Sequence, residues 1–263
     1  MTSAVDTPHE IRRPAAGGMA WIRFERVGVR FDFDGLGRVV TPTLRHIRRV
    51  RATAWGLSDV DLRIEAGEAV AVVGPTGSGK TTLLRVIAGV LPPDAGNAEV
   101  HGGIGSLLAT GAGLQMLLTG RENAELLGVL AGLTLAETRD QIDFVAERSR
   151  LGDAFDRPVH TYSEGMRARL GFAVIQLTEP DILLLDEVFE ALDHEFRAIV
   201  ERWAESLRSR GGIVVAAGHD HVALGRMCPR ALWLSEGRVQ EDGPREEVIA
   251  AYRSAGVGEA EAT

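Results

Sequence analysis

Gly74-Pro75-Thr76-Gly77-Ser78-Gly79-Lys80-Thr81-Thr82 carries the pattern G-x-x-x-x-G-K-[ST]. The apolar run Ala69-Val70-Ala71-Val72-Val73 precedes it, and Leu83-Leu84-Arg85-Val86-Ile87-Ala88 follows. That order predicts strand, glycine loop, helix. Glycines let the backbone turn tightly and come close to an anion, with no Cβ in the way. The freed N–H groups and the positive end of the following helix then point at phosphate oxygens. Lys80 would reach the β- and γ-phosphates of a bound nucleotide, and the Thr81 hydroxyl would be a magnesium ligand.

A second piece of chemistry lies at Ile182-Leu183-Leu184-Leu185-Asp186-Glu187, an apolar strand ending in two adjacent carboxylates. Parallel sheets present ligands at the carboxyl ends of their strands, so both acids should emerge beside the glycine loop. Asp186 would share the magnesium with Thr81, directly or through water. Glu187 is left to polarise a water in line with the γ-phosphate as general base. Tyr162-Ser163-Glu164-Gly165-Met166 places Ser163 and Gly165 at a helix start. By itself that is an ordinary serine cap.

These pieces together resemble the nucleotide-binding subunit of an ATP-binding-cassette transporter. That family has a helix beginning Leu-Ser-Gly-Gly-Gln between the phosphate loop and the carboxylate strand. This chain matches it at Ser163 and Gly165 and departs at Tyr162, Glu164 and Met166. Ala191-Leu192-Asp193 resembles the family's D-loop, His219 its switch histidine, and Phe31 the aromatic that stacks on adenine. The resemblance runs from about Phe24 to Tyr252. It implies ATP and Mg2+ as ligands and a head-to-tail pair of copies. Ser163 and Gly165 of one copy would cap the γ-phosphate held by Lys80 of the other. His219 would contact the γ-phosphate, and Asp193 would help join the two sites. The glutamine that usually senses the γ-phosphate aligns near Thr110, not at Gln115, so its role has no owner here.

Tyr-Ser-x-Gly-Met, a basic insert between Phe31 and the phosphate loop, and Gly111-Ala112-Gly113-Leu114 with Leu118-Thr119-Gly120-Arg121-Glu122-Asn123 resemble a narrower branch. Its members power export of cell-surface polysaccharides such as O-antigen and teichoic acid through a separate membrane permease. The cytoplasmic side of the membrane would then be the place of work, reached through that partner. The chain ends too soon for the carbohydrate-binding domain that longer members append. Two alternatives remain: the ATPase of another exporter or importer, and a soluble ABC ATPase with no transport role. The long coiled-coil insertions or second cassette of soluble members are absent from this sequence.

The net charge of −8 opposes nucleic acid as a partner, because phosphate backbones are held by basic surfaces. A lone cysteine, Cys228, cannot form an internal disulfide and fits a reducing compartment. Residues 1–18 lack the apolar run of a secretory signal, and no stretch reaches the ~18 apolar residues of a membrane span. The fold these elements imply is α/β, a P-loop NTPase of RecA-like type. It has a mainly parallel sheet with helices on both faces, an antiparallel β edge and an inserted helical subdomain. The expected organisation is a disordered tail over 1–18, the ATPase domain over 19–253 with the helical subdomain at 119–171, and a tail over 254–263. Alternation at 21–33 and the run at 57–64 predict strands, and 98–108 reads as one short strand. Residues 44–51, with basic residues between Leu44, Ile47 and Val50, read as a basic amphipathic helix or loop. Such a segment is either solvated or set against lipid headgroups or the permease. Thr119–Glu122 and Thr134–Glu137 have the capping-box form that opens helices.

Overall fold

Strands that are apolar on both sides need cover on both faces, and that requirement organises this molecule. The computed structural model describes residues 19–36, 49–108 and 113–256. The tail over 1–18, residues 44–48 of the basic segment, the position near Thr110 and residues 257–263 lie outside the described residues. The chain runs β1 (Trp21–Leu36), β2 (Arg49–Ile64), β3 (Ala69–Val73), α1 (Lys80–Ile87), β4 (Ala95–His101) and β5 (Ile104–Leu107). Next come α2 (Gly120–Leu130), α3 (Leu135–Asp140), α4 (Ile142–Ser149), α5 (Glu164–Leu177), β6 (Ile182–Leu185) and α6 (His194–Ser209). The last elements are β7 (Ile213–Ala217), α7 (His221–Met227), β8 (Arg230–Ser235), β9 (Arg238–Pro244) and α8 (Arg245–Ser254).

Two sheets form. One has the order β5-β6-β7-β3-β8-β9, parallel except for the antiparallel β8/β9 edge; the other is the antiparallel β2-β1-β4. Along β3 the side chains split by parity. Val70 and Val72 enter a core with α1 and the inward residues of β1 and β2, among them Ile22, Phe24, Leu57 and Ile64. Ala69, Ala71 and Val73 enter a second core with α5, α6, α7 and α8. A third core fills the helical region around Ala124, Val145, Phe155 and Val159.

Helix α5 belongs to two of these cores. Ala168, Phe172 and Ile175 face the sheet, while Leu170, Ala173 and Val174 face the helical region. That is why its apolar residues lie on two faces. Both capping boxes are formed: Thr119 accepts from the Glu122 N–H, and Thr134 from the Glu137 N–H, each with the reciprocal glutamate bond. Asn123, fully buried, donates to the carbonyls of Gln115, Leu118 and Thr119 and so fixes the approach to α2.

Three local expectations need correction. Residues 98–108 are two strands in different sheets: β4 pairs with β1, and β5 pairs with β6. The break is Gly102-Gly103, where Gly102 has φ +130° and Gly103 is tied to Asp181. Arg49, Val50 and Arg51 are neither helix nor loop; they begin β2, in register with Leu36, Gly35 and Asp34 of β1. Backbone pairing decides there, whatever the charge pattern. The helix α7 and the edge strand β9 had no counterpart in the sequence reading, and the helix entered at Ser163 continues past 171 to Leu177. Among the described residues no helix is long and apolar enough to cross a membrane.

Two outcomes follow from this packing. Phe172 meets Phe196 and Trp203 edge-on, with ring centroids 6.0 and 5.3 Å apart. Phe172→Ala should therefore cost about 3–5 kcal/mol of stability in a denaturant titration. Cys228 is wholly buried, and burial pushes its thiol up to about 12. It should resist alkylation until the chain unfolds. The folded form keeps this proton longer than the unfolded chain, so stability should fall as pH rises above about 9. Rapid labelling of the native protein at pH 8 would contradict this burial.

Candidate functional site

The parallel register brings distant residues to one edge. Leu185 of β6 lies opposite Ala216 of β7, and Ala217 opposite Val72 of β3. Asp186, Gly218 and Gly74 thus leave neighbouring strands at the same carboxyl end. The loop after β3 is held between backbone segments. A Cβ on Gly74 would lie 2.1 Å from the Leu234 carbonyl oxygen, and one on Gly79 2.4 Å from that of Gly56, with φ +149° and +108° at the two glycines. The turn between β8 and β9 closes the other side: the Gly237 N–H donates to Ser78 O at 2.9 Å, and Ser58 N–H to Gly237 O at 2.8 Å. Gly79 caps α1 without a side-chain bond, so the first-turn N–H groups face outward into the loop.

Lys80 is buried, and its ammonium donates to the Gly74 carbonyl at 2.8 Å and the Pro75 carbonyl at 3.3 Å. It lies 3.9 Å from Glu187 Oε1. Thr76 and Gly77 are exposed at the tip, while Pro75, Thr81 and Thr82 are half-buried. The Ser78 hydroxyl is buried with no hydrogen-bond partner. A tight loop with no room for a Cβ at Gly74 or Gly79, lined by first-turn amides, a lysine and an unsatisfied hydroxyl, fits a phosphate group.

Asp186 is 4% exposed, and its Oδ1 accepts from the Glu187 N–H at 3.0 Å. Burial holds its carboxyl above the usual carboxylate range, offset in part by hydrogen bonds from that N–H and from the Thr81 side chain. Thr81 and Asp186 therefore meet, as hard oxygen donors. Magnesium takes one or two protein oxygens and fills its remaining positions with water and phosphate, so the pair fits it. Glu187 is half exposed, and its Oε1 accepts from His219 Nε2 at 2.9 Å.

Ser163, Gly165 and Asp193 gather at the far end of the turn Glu187–Ala191. Ser163 caps α5 by accepting from the Met166 N–H at 3.2 Å. A Cβ on Gly165 would come within 2.9 Å of the Ala191 carbonyl oxygen. Asp193 caps α6 through the Phe196 N–H at 2.9 Å and ion-pairs with Arg169, so its carboxylate is held by its own chain. Phe31 packs toward the inner core, its ring against Gly56 and close to Thr82 at the start of α1. Trp55, next to Gly56, is the more exposed aromatic and lies over Gly28.

Several residues at this site had no place in the sequence reading. Glu190 accepts from the backbone N–H groups of His219 and Asp220; Arg197 bonds the Leu192 carbonyl; Gly56 and Gly237 let the loop sit close to backbone. The glycine inside β2 was a legible sign of close backbone approach. Glu190 gave no such sign. Lys80→Ala should remove the ammonium from the cradle and weaken MgATP binding by about tenfold or more, read by calorimetry. Native affinity in that variant would contradict the site as described.

The family model described as ABC transporter matches residues 57–190. The O-antigen export system ATP-binding protein RfbB of Klebsiella pneumoniae is 37% identical over 199 residues, covering 76% of this chain and 81% of that one. RfbB of Myxococcus xanthus is 38% identical over 234 residues, covering 88% of this chain and 54% of its own length. The teichoic acids export ATP-binding protein TagH of Lactococcus lactis subsp. lactis is 37% identical over 198 residues, 75% of this chain and 42% of that one. Among solved structures, the ATP-binding cassette MJ0796, a dimer bound to ADP and Pi, superposes with a TM-score of 0.69. At 22% identity over 85% of this chain and 98% of that one, it speaks to the fold alone. With the family model over half its length and these relatives beside it, the chain belongs to the ABC transporter family, as an ATP-binding, ATP-hydrolysing subunit.

Proposed function

We propose that this subunit powers export of a cell-surface polysaccharide or lipid-linked glycan. It would work as a pair of copies under a separate membrane-spanning permease, at the cytoplasmic face of the membrane. The observation that carries the proposal is the joint one. Relatives named for O-antigen and teichoic acid export match most of the chain, and in this chain a strand-end carboxylate is bonded to a histidine beside the phosphate loop.

In this reading Lys80 and the first-turn amides of α1 hold the β- and γ-phosphates, with Gly74, Pro75, Thr76, Gly77, Ser78, Gly79 and Thr82 shaping the cradle. Thr81 and Asp186 would hold Mg2+, which when bound supplies charge neutralisation between phosphate oxygens. Glu187 takes a proton from the attacking water, and His219 keeps the carboxylate oriented through their 2.9 Å bond and reaches toward the γ-phosphate. Lys80 Nζ lies 3.9 Å from Glu187 Oε1. Phe31 offers an aromatic wall for adenine near Thr82.

Ser163 and Gly165 sit at the N-terminus of α5, where exposed amides and a hydroxyl favour an anion. They would cap the γ-phosphate held by a second copy. Asp193 shapes that surface by capping α6 and holding Arg169. Closure around ATP and release after hydrolysis then give the difference in affinity that drives a permease between states.

Glu187→Gln tests this directly. The purified variant should bind ATP, form an ATP-dependent dimer by light scattering, and hydrolyse at least about a hundredfold more slowly. Cells carrying it in place of the native chain should lose surface glycan. Unchanged turnover, or a monomer with ATP, would refute the paired mechanism; normal surface glycan would refute the cargo.

A further inference from the structure

Glu190 lies one turn beyond the hydrolytic carboxylate, and its side chain crosses to the next strand. Its Oε1 accepts from the His219 N–H at 2.6 Å and from the Asp220 N–H at 2.9 Å. Gly218 permits that approach, since a Cβ there would stand 2.4 Å from the same oxygen. The backbone under Glu190 is held too. Arg197 of α6 donates to the Glu190 carbonyl and, at 2.8 Å, to the Leu192 carbonyl, and it reaches Asp220 Oδ2 at 3.4 Å. Asp220 in turn caps α7 through the Val222 and Ala223 N–H groups.

We propose that Glu190 is a positioning residue for ATP hydrolysis: its carboxylate, admitted by Gly218, fixes the backbone of His219 so that the imidazole stays on Glu187. The proposal rests on the reading of Glu187 and His219 given above. Glu187 and His219 leave different strands, β6 and β7, and both stand partly in solvent. Their 2.9 Å bond alone would not hold two exposed side chains in register. Two backbone N–H groups converging on one carboxylate oxygen are charge-assisted and short. They join the turn that carries Glu187 to the loop that carries His219 from beneath, where water does not compete as freely. A misplacement of about 1 Å at a reacting group can cost on the order of a hundredfold in rate.

The test uses the purified full chain and steady-state ATP hydrolysis. Glu190→Ala should lower kcat by about tenfold or more, with KM and the calorimetric affinity for MgATP within about twofold of native. Glu190→Gln, which keeps a carbonyl oxygen in place, should recover most of that loss. Gly218→Ala, which displaces the carboxylate without removing it, should reproduce the loss. In the His219→Ala background Glu190→Ala should have little further effect, because both act through one ring. A native kcat in Glu190→Ala, a loss additive with His219→Ala, or a loss that Gln fails to restore would overturn the proposal. Glu187→Gln separates the two readings. If it is inactive while Glu190→Ala is native, only the role of Glu190 falls. If it hydrolyses ATP normally, both fall.

Discussion

A loop that bares its amides to an anion has to be braced by other backbone, and the glycines stand where that bracing comes too close for a Cβ. Here the Leu234 and Gly56 carbonyls press on Gly74 and Gly79, and Gly237 ties the loop at Ser78. All three supports come from strands far off in sequence, β8, β2 and the β8–β9 turn. The loop's final conformation therefore depends on both finished sheets as well as on its own residues. The same closure buries Lys80 at 5% exposure, a cost offset by its hydrogen bonds to two loop carbonyls and by the nearby Glu187.

The turn Glu187–Ala191 is the meeting point of the two clusters. Toward β7 it presents Glu187 and Glu190 to the His219 loop; toward α5 the Ala191 carbonyl lies against Gly165. A shift of α5 would thus press on the backbone that carries Glu187. Helix α5 is itself packed on both faces, through Phe172 to the sheet and through Leu170 to the helical region. Close-packed interfaces of this kind transmit displacement instead of absorbing it. That gives a physical route by which the state of the helical region reaches the nucleotide end.

The chemistry that was legible in the sequence is carried by consecutive residues. Gly74 to Thr82 and Asp186-Glu187 state their geometry locally, because strand, turn and helix follow one another within a few positions. What was not legible depends on partners far apart. Glu190 bonds residues 29 and 30 positions on, and nothing in Glu187-Val188-Phe189-Glu190 announces that target. Residues 98–108 read as one strand because both halves are strand-like; only the sheet assignment divides them at Gly102. The basic pattern near Arg49 resembled a helix face, yet Arg49–Arg51 pair with β1, a ladder made by backbone and indifferent to charge. Strand β9 alternates between exposed and half-buried residues at the sheet edge, so it lacks the apolar run of its neighbour β8.

Asp186 and Glu187 are neighbours in sequence with opposite surroundings, and that contrast separates the uses proposed for them. Asp186 is enclosed at 4% exposure, with desolvation raising its carboxyl above the ordinary range. Glu187, at 50% exposure, stands where water can reach it and where His219 can hold it. A proton acceptor has to touch its water, so the exposed acid suits the base. An enclosed carboxylate whose charge is poorly solvated gains most from a nearby cation, and it can offer that cation a fixed oxygen beside Thr81. One β-strand end thus supplies two acids, and the division of labour proposed for them follows from which of them the fold lets water reach.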